Sequence, residues 1–463
     1  MLVRALSFPL PNVGPVAKYF LVRFVQGFGI TDPVSLGVKE LAKRFGLSDR
    51  QISASLEALL GGGVLALSST PGGRGRPKRS YRLHEVSVDN FNKPPQMPRK
   101  SYEPPPFNEI HKEAIGRLLR HENTIAAQLN TKSESRGDVA SLSAQMRARR
   151  QPGRLSIVNR LLLGVLLCYA DHFGVVRDLG SSALRKATGL NQERLKNRID
   201  ELIEQGLIRV YVPGATSSVF AKKEHSTYFL NLHHPELFEC GSETLVLISE
   251  TEHSSKDNEL QYGDQVSQGA RDVRRFPSDF DGMAVGGFFR YFMGQQECVF
   301  RLLELKLETY AADFLSWNWI ALATGVEIED PNLRKRIRNE FVIPESLREA
   351  LSTGPEIARL PSLVESMLYG LSIALAKRIQ KMISDVPGIP FASMDFVVIP
   401  QAKNVGYRRF VLLARLRSPG SQRGCLVLCI GNNGESAIQA FTTEAEIPVA
   451  DQYRFGLRAK PRA

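Results

Sequence analysis

Apolar positions along the chain fall into two helical stretches that repeat one another, followed by a region whose texture changes from helix to strand. Val16 to Phe28 and Ile157 to Phe173 are densely apolar and predict two long helices that bury most of their surface. After the first, Val38, Leu41, Ala42 and Phe45 mark a short amphipathic helix, and Ile52, Leu56, Leu59 and Leu60 mark the next, with Ser48 placed as its N-cap. After the second, Leu184 and Ala187 are followed by Leu195, Ile199, Leu202 and Ile203, with Asn191 as the cap. The two short helices are joined by FGLS in one stretch and TGLN in the other, a tight turn with a Gly and then a capping residue. A Gly stops each second helix, at Gly63 and Gly206, and an apolar strand follows, Val64 to Leu67 or Leu207 to Val212. A polar loop then leads to a returning strand, SYRL at 80–83 or TYFL at 227–230.

Laid on itself at a shift of 143 residues, the sequence aligns from 36 to 65 without a gap: Leu36 on Leu179, Leu41 on Leu184, Gly46 on Gly189, Leu56 on Ile199, Gly63 on Gly206. Residues 86–108 are Pro-rich and predict an extended connector, while 109–150 carry patchy helical periodicity and lead into the basic run RARRQPGR at 147–154. Residues 250–278 are polar and read as loose chain. From 283 to 384 the pattern is helical, and from about 393 short strands alternate with turns. The expected division is 1–85, 86–154 (linker), 155–240, 241–282 (polar linker) and 283–463, the last an α+β region with its helices first.

Charge singles out one end of the chain. Residues 1–160 hold 25 Lys and Arg against 12 Asp and Glu, whereas residues 161–463 hold 35 against 36. The formal net charge of +12 therefore originates in the N-terminal third, a pattern that points to a polyanionic partner, nucleic acid before anionic membrane. The order of three helices and a β-hairpin resembles the winged helix-turn-helix domain, here in two copies. The hairpin loop of the first copy, PGGRGRPKRS, is similar to the GRGRP wings of bacterial winged-helix regulators, and its core, Arg74 to Pro77, is similar to an AT-hook.

The resemblance implies a fold that is mainly α with α+β parts, namely two winged helix-turn-helix domains and a C-terminal α+β domain for regulation or assembly. It also implies that Arg74, Arg76, Lys78 and Arg79 enter a minor groove about 6 Å wide, where arginine gains from the negative potential of A·T-rich stretches. The second helix of each copy would then read bases in the major groove. Removing the apolar positions leaves Arg50, Gln51 and Ser53, with Asp49, Ala54 and Ser55, in the first copy. The second copy leaves Gln192, Arg194, Lys196 and Asn197, with Glu193 and Arg198. Arg suits guanine edges, and Gln or Asn suits adenine. Lys39, Lys43, Arg44, Arg185 and Lys186, on the preceding helices, suit phosphates. The loop of the second copy, PGATSSVFAKKEHS, offers only Lys222 and Lys223, so the two copies are expected to contribute unequally.

Little else in the chain suggests chemistry. Five scattered cysteines with no CxxC pair fit a reducing compartment, and the longest apolar run, Leu161 to Ala170, is about half a bilayer span. The first residues, broken by Pro9 and Pro11, make poor signal-peptide material, so a cytoplasmic, nucleoid-associated protein is expected. No phosphate loop, HExxH or GxSxG pattern is present, and neither His233-His234 nor Cys425 with Cys429 forms a convincing metal site. Trp317 and Trp319 fit a pocket lining or a core. The reading is a non-enzymatic, sequence-specific transcriptional regulator with double-stranded DNA as partner and no cofactor, metal or membrane, and with room for a homodimer or a contact to RNA polymerase. A plasmid-type replication initiator binding origin repeats is the nearest alternative. An enzyme targeted by its winged helices, or a purely structural or interaction protein of a mobile element, is the rival from another class.

Overall fold

A computed structural model describes residues 1–10, 12–70, 78–92, 107–120, 155–238, 243–252, 262–326, 328–350, 355–401, 407–418, 423–430 and 436–458. They form two compact units, one of Met1–Ile208 with Pro235–Cys240 and one of Arg209–His234 with Gly241–Ala463. The architecture is mixed α and β.

The first unit contains α1 (Leu2–Ser7), α2 (Pro15–Phe28), α3 (Val38–Phe45), α4 (Asp49–Gly61), the hairpin β1 (Leu65–Thr70) and β2 (Lys78–Leu83), and α5 (Glu85–Asn92). It continues with α6 (Lys112–Arg120), α7 (Ile157–Tyr169), β3 (Val175–Val176), α8 (Ser181–Thr188), α9 (Gln192–Glu204) and α10 (Pro235–Phe238). The internal repeat reaches the hydrogen bonds. Both ends of α3 and α4 recur 143 residues later in α8 and α9. Gly46 and Gly189 take left-handed φ of 67° and 72° between the helices. At Gly189 a Cβ would stand 2.2 Å from the carbonyl oxygen of Val13, so the close backbone approach also requires glycine. The Ser48 hydroxyl accepts the Gln51 amide N–H at 3.2 Å, and the Asn191 side chain accepts that of Arg194 at 2.8 Å. Val64 N–H donates to the Leu59 carbonyl and Leu207 N–H to that of Leu202, both at 2.9 Å, behind Gly63 and Gly206 at φ 65° and 77°.

The core of this unit lies where α2 and α7 meet, with α1 against both. Phe20, Phe24, Phe28 and Phe45 form a chain of ring contacts between α2 and α3. α6 is held by its C-terminal carbonyls: Arg23 and the Tyr19 hydroxyl donate to Leu119, and Arg160 donates to Leu118 at 3.0 Å. Two buried guanidiniums, one from each long helix, thus meet the negative end of the α6 dipole. Lys18 is also buried, donating to the Phe8 carbonyl, and burial pushes its ammonium down to about 7. α7 ends four residues earlier than its apolar run because the Asp171 carboxylate accepts the N–H groups of Phe173 and Val175, each at 2.9 Å, and turns the chain.

The second unit holds β4 (Ile208–Val212, from Arg209 onward) and its neighbour β5 (Thr227–Leu230), then β6 (Thr244–Glu252), α11 (Tyr262–Arg275), α12 (Ala284–Tyr291), α13 (Glu297–Thr324), α14 (Pro331–Glu340), α15 (Glu345–Ala350) and α16 (Pro355–Ile383). β7 (Met394–Ile399), β8 (Tyr407–Leu416), β9 (Gly424–Ile430), β10 (Ser436–Phe441) and α17 (Val449–Arg454) follow. The main sheet runs β10-β9-β6-β8-β7, with β6 parallel to β9 and the other pairs antiparallel. α13 packs on β7 and α16, and the Ser316 hydroxyl accepts the Phe396 N–H at 3.0 Å.

One sequence expectation fails here. The segment 241–282, read as a polar linker, carries the middle strand of this sheet and a 14-residue helix. The strand was hidden because Leu245, Val246, Leu247 and Ile248 are all buried, so both faces are apolar and no alternation shows. The helix was hidden by Gly263 and Gly269, yet at Gly269 a Cβ would fall 2.4 Å from the Phe289 ring. Within 283–463 the helices do precede the strands, as expected, but the sheet takes its middle strand from the segment read as a linker.

Candidate nucleic-acid interface

The turn and cap just described present the first half of α4 and of α9 to solvent. Arg50 and Ser53 are exposed on α4, and Gln192, Arg194, Lys196 and Asn197 are exposed on α9. Arg50, Arg194 and Lys196 make no ion pair among the described residues, which leaves their charge available to an outside partner.

The repeat explains a difference between two of these positions. Gln51 and Arg194 are equivalent, each the third residue after the cap. The Gln51 side-chain oxygen accepts the Ser48 N–H at 2.9 Å, closing a capping box, so its amide is half committed to folding the helix. Arg194 has no acceptor to offer and leaves its guanidinium outside. Ser55, read as a solvent position, is buried, and Arg198 is drawn to Glu201 at 2.6 Å.

Lys39, Lys43, Arg44, Arg185 and Lys186 all lie exposed on α3 and α8. Lys43 and Lys186 occupy equivalent positions of the two copies. Arg44 is tethered, its guanidinium stacked over the Phe28 ring at 4.5 Å.

In the first hairpin the strands pair in register up to Thr70 opposite Lys78, and Val34 bridges Tyr81 on the far side of β2. Arg79 and Arg82 are exposed on β2. Arg74 and Arg76 lie outside the described residues, as does the side chain of Lys78.

The connection between β4 and β5 differs in kind. Phe220 is bridged to Phe341, Ala221 N–H donates to the Glu340 carbonyl and Val342 N–H donates to the Val219 carbonyl, both at 3.0 Å. Val219 and Phe220 are buried, and the nearby Lys306 ammonium bridges Glu224 at 3.0 Å and Glu340 at 2.6 Å. That ammonium, with the Tyr310 hydroxyl and Arg336, holds the Glu340 carboxyl down at about 2 against its burial. Residues 219–221 are therefore joined by an isolated β-bridge to the chain that follows α14 in the second unit. The apolar pair Val219-Phe220, in the loop whose counterpart in the first copy carries GRGRP, is the sequence trace of that packing.

The remaining candidates are structural. His233 is buried, its Nε2 is 2.8 Å from the Thr244 hydroxyl, and burial with the Arg209 charge pushes it down to about 3. Cys425 and Cys429 are unbridged residues of β9, and no group of metal-binding side chains is found among the described residues. Trp319 packs on Phe391 and Phe396, while Trp317 is exposed beneath the Arg417 guanidinium. Among the described residues no helix is long and apolar enough to cross a membrane. No known family model matches the chain, and no curated protein matches it significantly.

Proposed function

We propose that the chain is a sequence-specific double-stranded DNA-binding regulator, whose duplicated three-helix units are winged helix-turn-helix domains and whose second unit serves regulation or assembly. One observation carries the reading: the same pair of helices joined by a Gly turn occurs twice, 143 residues apart, with Arg50 in one copy and Arg194 and Lys196 in the other exposed at the start of the second helix and making no ion pair among the described residues. In this account the N-terminal halves of α4 and α9 enter successive segments of the major groove, with Arg50, Arg194 and Asn197 reading base edges. Lys43 and Lys186 contact phosphate, and the Arg74–Arg76 loop follows the minor groove. The second copy contributes a reading helix without a basic wing, because its loop is spent on packing within the second unit.

The test is the affinity of the full-length protein for a labelled duplex as salt rises. The account predicts log affinity falling linearly with log salt, with a slope of about −5 or steeper. A slope near zero, with retention of a protein partner instead, contradicts it.

A further inference from the structure

A cavity of about 190 Å³ opens in the second unit between α12, α14, α15 and α16. Its wall is apolar, formed by Tyr291, Ile337, Phe341, Pro361 and Val364, and its rim carries Arg338 and Arg348 around one carboxylate, Glu365. Pro361 sits inside α16 and has no N–H for the carbonyl one turn earlier, which loosens the helix wall at that point. Glu365 is buried and already satisfied: Arg338 donates to it at 2.8 Å, and Arg334, stacked over Tyr369, stands 3.6 Å away. Arg348 is exposed and makes no ion pair among the described residues. Positive charge thus exceeds negative at the mouth of an apolar space that is too small for a nucleotide.

We infer that this cavity binds a small amphipathic carboxylate, its apolar body against Tyr291, Phe341 and Val364 and its anionic head on Arg348 and the outer face of Arg338. The site lies within the second unit alone, so it stands whether or not the first unit binds DNA. Its position gives it a consequence. The Tyr291 hydroxyl is 3.0 Å from the Val219 carbonyl and 2.8 Å from that of Val342, so the ring that lines the cavity also clamps residues 219–221 in place. An occupant pressed against Tyr291 and Phe341 therefore steadies that clamp.

Benzoate and phenylacetate, with benzamide as the neutral control, are titrated into the full-length protein by calorimetry, and amide hydrogen exchange is followed at millimolar probe. The expected result is binding of a carboxylate with a Kd of about a millimolar, absent for benzamide, with exchange slowed at 219–221 and 341–343. Arg348→Ala, a surface change, should weaken binding about tenfold, and Val364→Trp should abolish it by filling the space. Equal binding of benzamide, an unchanged Kd in Arg348→Ala, slowed exchange confined to other segments, or no binding of either acid overturns the proposal.

Discussion

Residues at equivalent positions of the repeat have different work, and Gln51 and Arg194 separate the two kinds. Gln51→Ala removes one arm of a capping box and should cost about 0.5–1 kcal/mol of stability, read from denaturant unfolding, while leaving DNA sequence preference unchanged. Arg194→Ala with Asn197→Ala should leave stability within about 0.5 kcal/mol, since both side chains are exposed, and should relax sequence preference more than it lowers affinity for unrelated duplex. Equal losses on all duplexes would assign these two residues to phosphate. A third residue-scale effect belongs to α13, where Glu308 is buried and Glu304, one turn earlier, is half-buried. Burial pushes Glu304 up to about 7, against the Gly263 amide that donates to it, and burial beside Glu304 pushes Glu308 well above the ordinary carboxyl range. Both folded-state values exceed the unfolded value of about 4.3. Their contribution to stability is therefore complete below that pH and is lost as pH rises through the folded values. Glu308→Gln should raise the melting temperature at pH 8 and leave it nearly unchanged at pH 4; the same shift at both would show that the carboxyl is not protonated in the fold.

Among the elements, the two hairpin loops are the clearest contrast. Arg74→Ala with Arg76→Ala should reduce the salt slope of DNA binding by about one to two units, and an unchanged slope would remove the first loop from the interface. Phe220→Ala empties a buried position in the second unit and should cost about 3–5 kcal/mol in unfolding, with the salt slope untouched. The composition foreshadowed this asymmetry, since one loop is Gly- and Arg-rich and the other has only Lys222 and Lys223 beside the apolar pair Val219-Phe220, but nothing local marks where that pair packs. That information is non-local: their partners, Tyr291, Phe341 and Val342, come 70 residues or more later. Helices with one buried face, caps and stop glycines were legible to within a few residues, because each is a local pattern. β6 was not, because a strand buried on both faces has no period to read, and α11 was not, because its glycines answer to Phe289 and Phe300 rather than to helix propensity.

For the whole molecule, charge and repeat coincide. The surplus of positive charge lies in residues 1–160, and the duplicated helices occupy the unit built largely from that part of the chain. Within it, α1, α6, α2 and α7 pack together, and Arg23 and Arg160 reach the same helix end from the two copies, so the copies are fixed to one another by a shared core. If α4 and α9 read DNA as proposed, their place in one compact unit requires half-sites at a constant separation, which a pair of independent domains on a linker would not. Of the candidate interface, the helix positions were legible from sequence because exposure follows from periodicity. The engagement of Gln51, Ser55 and Arg198 was not, since each depends on a specific hydrogen bond or packing contact. The most direct measurement is a selection of random double-stranded DNA on the full-length protein at near-physiological salt, with the enriched pool sequenced. The account predicts a motif of two elements at one fixed spacing with an A·T-rich flank; no enrichment by a folded protein, or two elements at freely varying spacing, would contradict it.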